Sequence, residues 1–160
     1  MQSFSPVLLS IVLLLVNCSG KPPSNHKRAG GFFPPKIILQ STNGSFVRLS
    51  HQAPFVLIAD AKKAVDADPF YWCELTNSIG ALKSMHNTYV TVHLQKEDKA
   101  IARQNHIDSW ERLTLQKKQN GIAFLAVNNK YLQPESSDYT LTASAETATQ
   151  DCIFKMIPVP

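Results

Sequence analysis

The chain has 160 residues, 44% of them hydrophobic, which suits one domain with one core and leaves no room for several. The net charge of +4 comes from 16 basic and 12 acidic residues, and three of the basic ones (Lys21, Lys27, Arg28) fall in an acid-free stretch at 21–35. The remainder, 13 basic against 12 acidic, is nearly neutral and has no clustered basic run, which argues against a nucleic-acid binder.

The first twenty residues hold no Asp, Glu, Lys or Arg, and Pro6 to Val16 is almost wholly apolar. That run is shorter than the roughly 20 residues a membrane span needs. With small residues following at Cys18 and Gly20, residues 1–20 read as a signal peptide, and the chain is expected to be secreted. Residues 21–35 hold four prolines and two glycines and read as a flexible basic tail, in which Lys27-Arg28 could serve as a dibasic processing site. No later stretch is long and apolar enough to cross a membrane. Export permits a disulfide between the two later cysteines, Cys73 and Cys152, if geometry allows it.

From Lys36 onward, three blocks align as candidate repeats. Each starts with a hairpin pattern: a short apolar strand, an Asn-containing turn, and an aromatic followed by Val or Leu. The aromatics are Phe46, Tyr89 and Tyr131. Asn43-Gly44 is a favoured pair for a two-residue hairpin turn, and His86-Asn87 and Asn128-Asn129 stand in its place later. A third strand follows in each block: Val56 to Ala59, Lys99 to Ala102, and Thr140 to Ala143. Closing strands are expected at Phe70 to Leu75, Trp110 to Leu115 and Asp151 to Met156. Alternation predicts inward pairs Cys73 and Leu75, Leu113 and Leu115, and Phe154 and Met156.

Four short strands in about forty residues leave no room for a long helix, and no segment has a 3.6-residue period. Three units are too few for a propeller ring. The expected fold is therefore all-β: a β-trefoil over residues 36–160, built of three four-stranded repeats with pseudo-threefold symmetry.

The segment His106-Ile107-Asp108-Ser109-Trp110-Glu111-Arg112-Leu113-Thr114-Leu115, preceded by Ile101-Ala102, resembles the strand motif of fascin-like trefoils, the actin-crosslinking-like domain family. Lys83 to Val90 and Asn128 to Leu132 resemble its hairpin motif. The chain departs from that pattern at Gln104, Asp108, Leu113, Asn87 and Asn129. The resemblance implies a trefoil in which Trp110 and Glu111 are structural, and it makes actin a possible partner. Bundling is not carried over, because fascins use several trefoils per chain and an exported protein rarely meets actin.

Catalytic signatures are missing, so no enzyme activity and no cofactor are expected. The histidines are scattered, and His86 with His93 is too small a set for a metal site. Asn43-Gly44-Ser45 is an N-glycosylation sequon in an expected turn. Tyr71, Trp72 and Tyr139 are the candidate ligand-binding aromatics, Trp72 because alternation turns it away from Cys73. The expected function is a secreted, non-catalytic binding module for a glycan or an extracellular protein. The alternatives are an actin-binding fascin-like domain or a cytokine-like or growth-factor-like ligand.

Overall fold

The computed structural model describes residues 36–93 and 98–159. The expected signal peptide and basic tail lie outside them. The described residues form an all-β fold of twelve strands: β1 (Lys36–Ser41), β2 (Phe46–Leu49), β3 (Phe55–Ala61), β4 (Phe70–Glu74), β5 (Ile79–Ser84), β6 (Tyr89–His93), β7 (Lys99–Gln104), β8 (Leu113–Lys118), β9 (Gly121–Leu125), β10 (Tyr131–Pro134), β11 (Leu141–Ala145) and β12 (Phe154–Val159). Single helical turns precede β4, β8 and β12, at Ala64–Asp66, Ser109–Glu111 and Gln150–Cys152.

All the strand pairings are antiparallel and they close on themselves. β1, β4, β5, β8, β9 and β12 each pair with the next, and β12 returns to β1 with Lys36 opposite Val159. Closure removes the unpaired edges of these six strands. The other six form hairpins, β2–β3, β6–β7 and β10–β11. Their third strands meet one another: β3 pairs with β7, β7 with β11, and Ile58 bridges to Thr140.

The core fills the closed ring. Phe70, Leu113 and Phe154 open β4, β8 and β12 and are fully buried together. Leu57, Ala100 and Leu141 enter from the third strands, and Val47, Val90 and Leu132 from the second. Burying each large aliphatic or aromatic side chain contributes about 1.5–3 kcal/mol.

The hairpin turns differ from the two-residue form expected from Asn43-Gly44. In each, one residue rather than two has positive φ: Gly44 at 89°, Asn87 at 64° and Asn129 at 60°. Their amides bond back to the carbonyls of Ser41, Ser84 and Ala126 at 3.0, 3.1 and 3.0 Å. These are three-residue loops, a tight turn followed by one left-handed residue. Asn43 and Asn128 complete them by accepting from the amides of Ser45 and Lys130.

The expected inward pair of the first closing strand is also corrected. Phe70 and Trp72, not Cys73 and Leu75, face the main core. Cys73 packs on the opposite face with Ala81 and Tyr89, and Leu75 is exposed. Leu113 with Leu115 and Phe154 with Met156 do line the main core.

Candidate functional site

The turn from β10 to β11 runs Glu135-Ser136-Ser137-Asp138-Tyr139-Thr140. Pro134 ends β10 without a backbone donor, and Asp138 supplies a side chain that bonds to local backbone. The loop is closed at both ends: Glu135 N donates to Thr140 O at 2.8 Å, and Tyr139 N donates to Glu135 O at 3.1 Å. Asp138 Oδ1 accepts from Thr140 N at 3.0 Å. Tyr139 takes φ of 60°, a left-handed conformation uncommon for so bulky a residue.

Beside this turn is a surface cavity of about 300 Å³ lined by Lys99, Glu135, Ser137, Asp138, Thr140 and Thr142. Its floor is held by a hydrogen-bond network. Glu135 Oε1 accepts from the Thr142 hydroxyl and, at 3.1 Å, from the Ser144 hydroxyl. Gln133 Nε2 donates to Ser144 Oγ at 2.9 Å. The Thr140 backbone amide holds the Asp138 carboxyl below the usual carboxylate range, and Lys99 adds to that. At neutral pH Asp138 is thus a fixed acceptor.

Between Asp138 and Thr140 on the same turn, and outside the cavity lining, is Tyr139, 42% exposed, with Lys62 Nζ 5.9 Å from its ring centroid. The cavity therefore presents the Glu135 and Asp138 carboxylates and the Lys99 ammonium, with an exposed ring on the same turn. That set suits a polyhydroxylated ligand, whose hydroxyls both donate and accept and whose C–H face packs on an aromatic.

Of the candidate aromatics, only Tyr139 is carried by this turn. Trp72 turns inward instead of outward: it packs against the main core, 5.8 Å from the Phe124 ring, and a Cβ on Gly80 would overlap its indole. Tyr71 is half-buried against the Cys73 cluster. Trp110 is half-buried and lines a separate cavity of about 330 Å³ with Gln104, Asp108, Ser109 and Glu111. Glu111 is buried; its carboxylate accepts from Thr91 Oγ1 at 2.5 Å and from Asp108 N at 2.8 Å. Asn43 is exposed in the β1–β2 turn. His86 stacks on Phe55 with ring centroids 4.7 Å apart.

The possible Cys73–Cys152 disulfide is not formed: Cys152 is a buried free thiol. Cys152 Sγ points to Gln133 Oε1 at 3.9 Å, and Cys73 packs in a different cluster, on the outer face of β4.

Sequence reasoning missed Glu135, Asp138, Lys99 and Lys62. The Ser136-Ser137-Asp138 run marked a turn, but nothing in the sequence showed which strand would lie beside it.

No protein-family model matches the chain, and no curated protein matches it by sequence. Solved structures do resemble its fold. A designed 3-fold symmetric protein, ThreeFoil, superposes with a TM-score of 0.68 at 12% identity, covering 78% of this chain and 99% of that one. Cry35Ab1 gives 0.67 at 9% identity, covering 80% of this chain and 36% of that one. A GlcNAcα1-4Gal releasing endo-β-galactosidase from Clostridium perfringens gives 0.65 at 13% identity, covering 79% and 33%. At these identities the likeness is one of fold. It places the chain among closed all-β folds that include a threefold-symmetric protein.

Proposed function

We propose that this chain is a secreted, non-catalytic glycan-binding module with β-trefoil architecture. The trefoil reading is supported by the recurrence of each kind of pairing in β1–β4, β5–β8 and β9–β12, and by the threefold-symmetric neighbour. The observation that carries the glycan reading is the Glu135–Asp138–Lys99 cavity, with the exposed Tyr139 ring carried by the same turn. The non-catalytic reading rests on the missing catalytic signatures in the sequence.

The test is a glycan-array screen with protein purified from the medium of cells expressing the whole chain, with intact mass reporting the mature N-terminus. Saturable binding that is lost in Asp138→Asn supports the proposal. Retention inside the cell, or an empty array with binding only to cell-surface protein or to filamentous actin, overturns it.

A further inference from the structure

The β1–β2 turn carries Asn43-Gly44-Ser45, the acceptor pattern for N-linked glycosylation. Asn43 is exposed, and its Oδ1 accepts from Ser45 N at 2.8 Å, which leaves Nδ2 as the atom to carry a sugar. Ser45 is 4% exposed, and its hydroxyl accepts from Lys62 Nζ at 3.4 Å. The same ammonium lies over the Tyr139 ring, 5.9 Å from the centroid. One lysine therefore joins the sequon turn to the exposed ring of the β10–β11 turn. The two turns lie far apart in sequence and meet only because β3, which Lys62 follows, is bridged to Thr140.

From these contacts we infer that Asn43 carries an N-glycan that lies across Tyr139 and shields it, so that modification of one turn sets access to the other. The biological meaning of the shield rests on the glycan-binding reading above; the shield itself does not. In the transfer, Asn43 Nδ2 bonds to the anomeric carbon of a polyprenyl-diphosphate-linked oligosaccharide. The bond from that carbon to the diphosphate breaks, the lipid diphosphate leaves, and the amide gives up a proton. The sequon hydroxyl is buried under Lys62 once the hairpin has closed. The sugar is therefore added before this part of the chain folds.

The experiment uses the whole chain secreted from a glycosylating eukaryotic line. It is compared with the Asn43→Gln protein and with the secreted protein treated under native conditions with peptide N-glycosidase. Tyrosine nitration by tetranitromethane, followed by peptide mass, reads exposure of Tyr139, with half-buried Tyr131 as internal reference. The expected result is a sugar on Asn43, nitration of Tyr139 that rises several-fold when the sugar is absent by either route, and unchanged nitration of Tyr131. Enzymatic removal keeps the test valid if Asn43→Gln folds poorly. A bare Asn43, or equal Tyr139 rates with and without sugar, overturns the inference. Array binding with equal nitration rates removes the shield alone. An array left empty by the Asn43→Gln and deglycosylated proteins, with Tyr139 shielded in the glycosylated one, removes the glycan-binding reading alone.

Discussion

Tyr139 holds φ of 60° because its carbonyl must accept from Ala59 N, at 2.9 Å. Asp98 stands 41 residues earlier, holds φ of 54°, and its carbonyl accepts from Ala143 N at 2.9 Å. The left-handed backbone thus belongs to the meeting of the third strands, not to the ligand. It costs an L-residue about 1–2 kcal/mol, less for Asn. Tyr139→Gly is expected to raise thermal stability by about 0.5–1 kcal/mol. Tyr139→Asn tolerates the same backbone and is expected to fold normally while losing the ring, weakening glycan binding about tenfold, or roughly 1.4 kcal/mol. A titration of both variants separates stability from binding. Asp138 adds a pH signature. Its folded pKa is depressed, so its share of stability is present above the unfolded-chain value and is lost as pH falls through the lower folded one. Binding is therefore expected to stay level through mildly acidic pH and to fall only below the usual carboxylate range. A decline centred near neutral pH would show that another group controls the site.

At the scale of elements, the residue two places before the first core residue of each closing strand reaches back to the second strand of its own unit. Asp68 Oδ2 accepts from Leu49 N at 2.7 Å, Glu111 accepts from Thr91 Oγ1, and Cys152 Sγ lies 3.9 Å from Gln133 Oε1. One architectural position is filled by an exposed-to-half-buried carboxylate, a buried carboxylate and a thiol. Removing the Glu111 carboxylate strands a buried hydroxyl and a backbone amide, so Glu111→Ala is expected to cost about 2–3 kcal/mol in urea unfolding. Cys152→Ala loses only a weak sulfur contact and a small volume and is expected to cost below about 1.5 kcal/mol. Being buried, Cys152 is expected to resist alkylation by iodoacetamide until the chain unfolds. The hairpins were legible because Phe46, Tyr89 and Tyr131 follow turn residues at even spacing, and each begins its strand. The first closing strand was misphased because Phe70-Tyr71-Trp72-Cys73 holds no polar residue to mark an outer face. The latches were invisible because Asp68, Glu111 and Cys152 share a position and no chemistry. Of the binding site only Tyr139 could be read, since Lys99 and Lys62 come from other hairpins and reach it through pairings the sequence does not print.

At the scale of the molecule, one core serves all twelve strands, with Phe124 between Trp72 and Phe154 at 5.8 and 6.0 Å. Trp72 comes from the first unit and Phe124 and Phe154 from the third, and Leu82, Val90 and Leu113 of the second pack in the same core, so no unit keeps its apolar face dry alone. Phe124→Ala is expected to cost about 3–5 kcal/mol. The loss should appear as one shifted transition by circular dichroism and tryptophan fluorescence together; separated transitions would mean that the units fold independently. Most residue contacts join parts of the chain at least twelve residues apart, so folding is expected to be slow, in the millisecond-to-second range.

The ladder between β1 and β12 joins Lys36 to Val159 through six successive residue pairs, as continuous as the five-residue ladder between β4 and β5. Backbone connectivity is thus least important at the place where the ring lacks a covalent link. A circular permutant follows: Val159 tied to Lys36 by a short Gly/Ser linker, and new termini cut into the exposed Thr76-Asn77-Ser78 turn. Such a rewired chain should keep the same hydrogen-exchange protection in every strand.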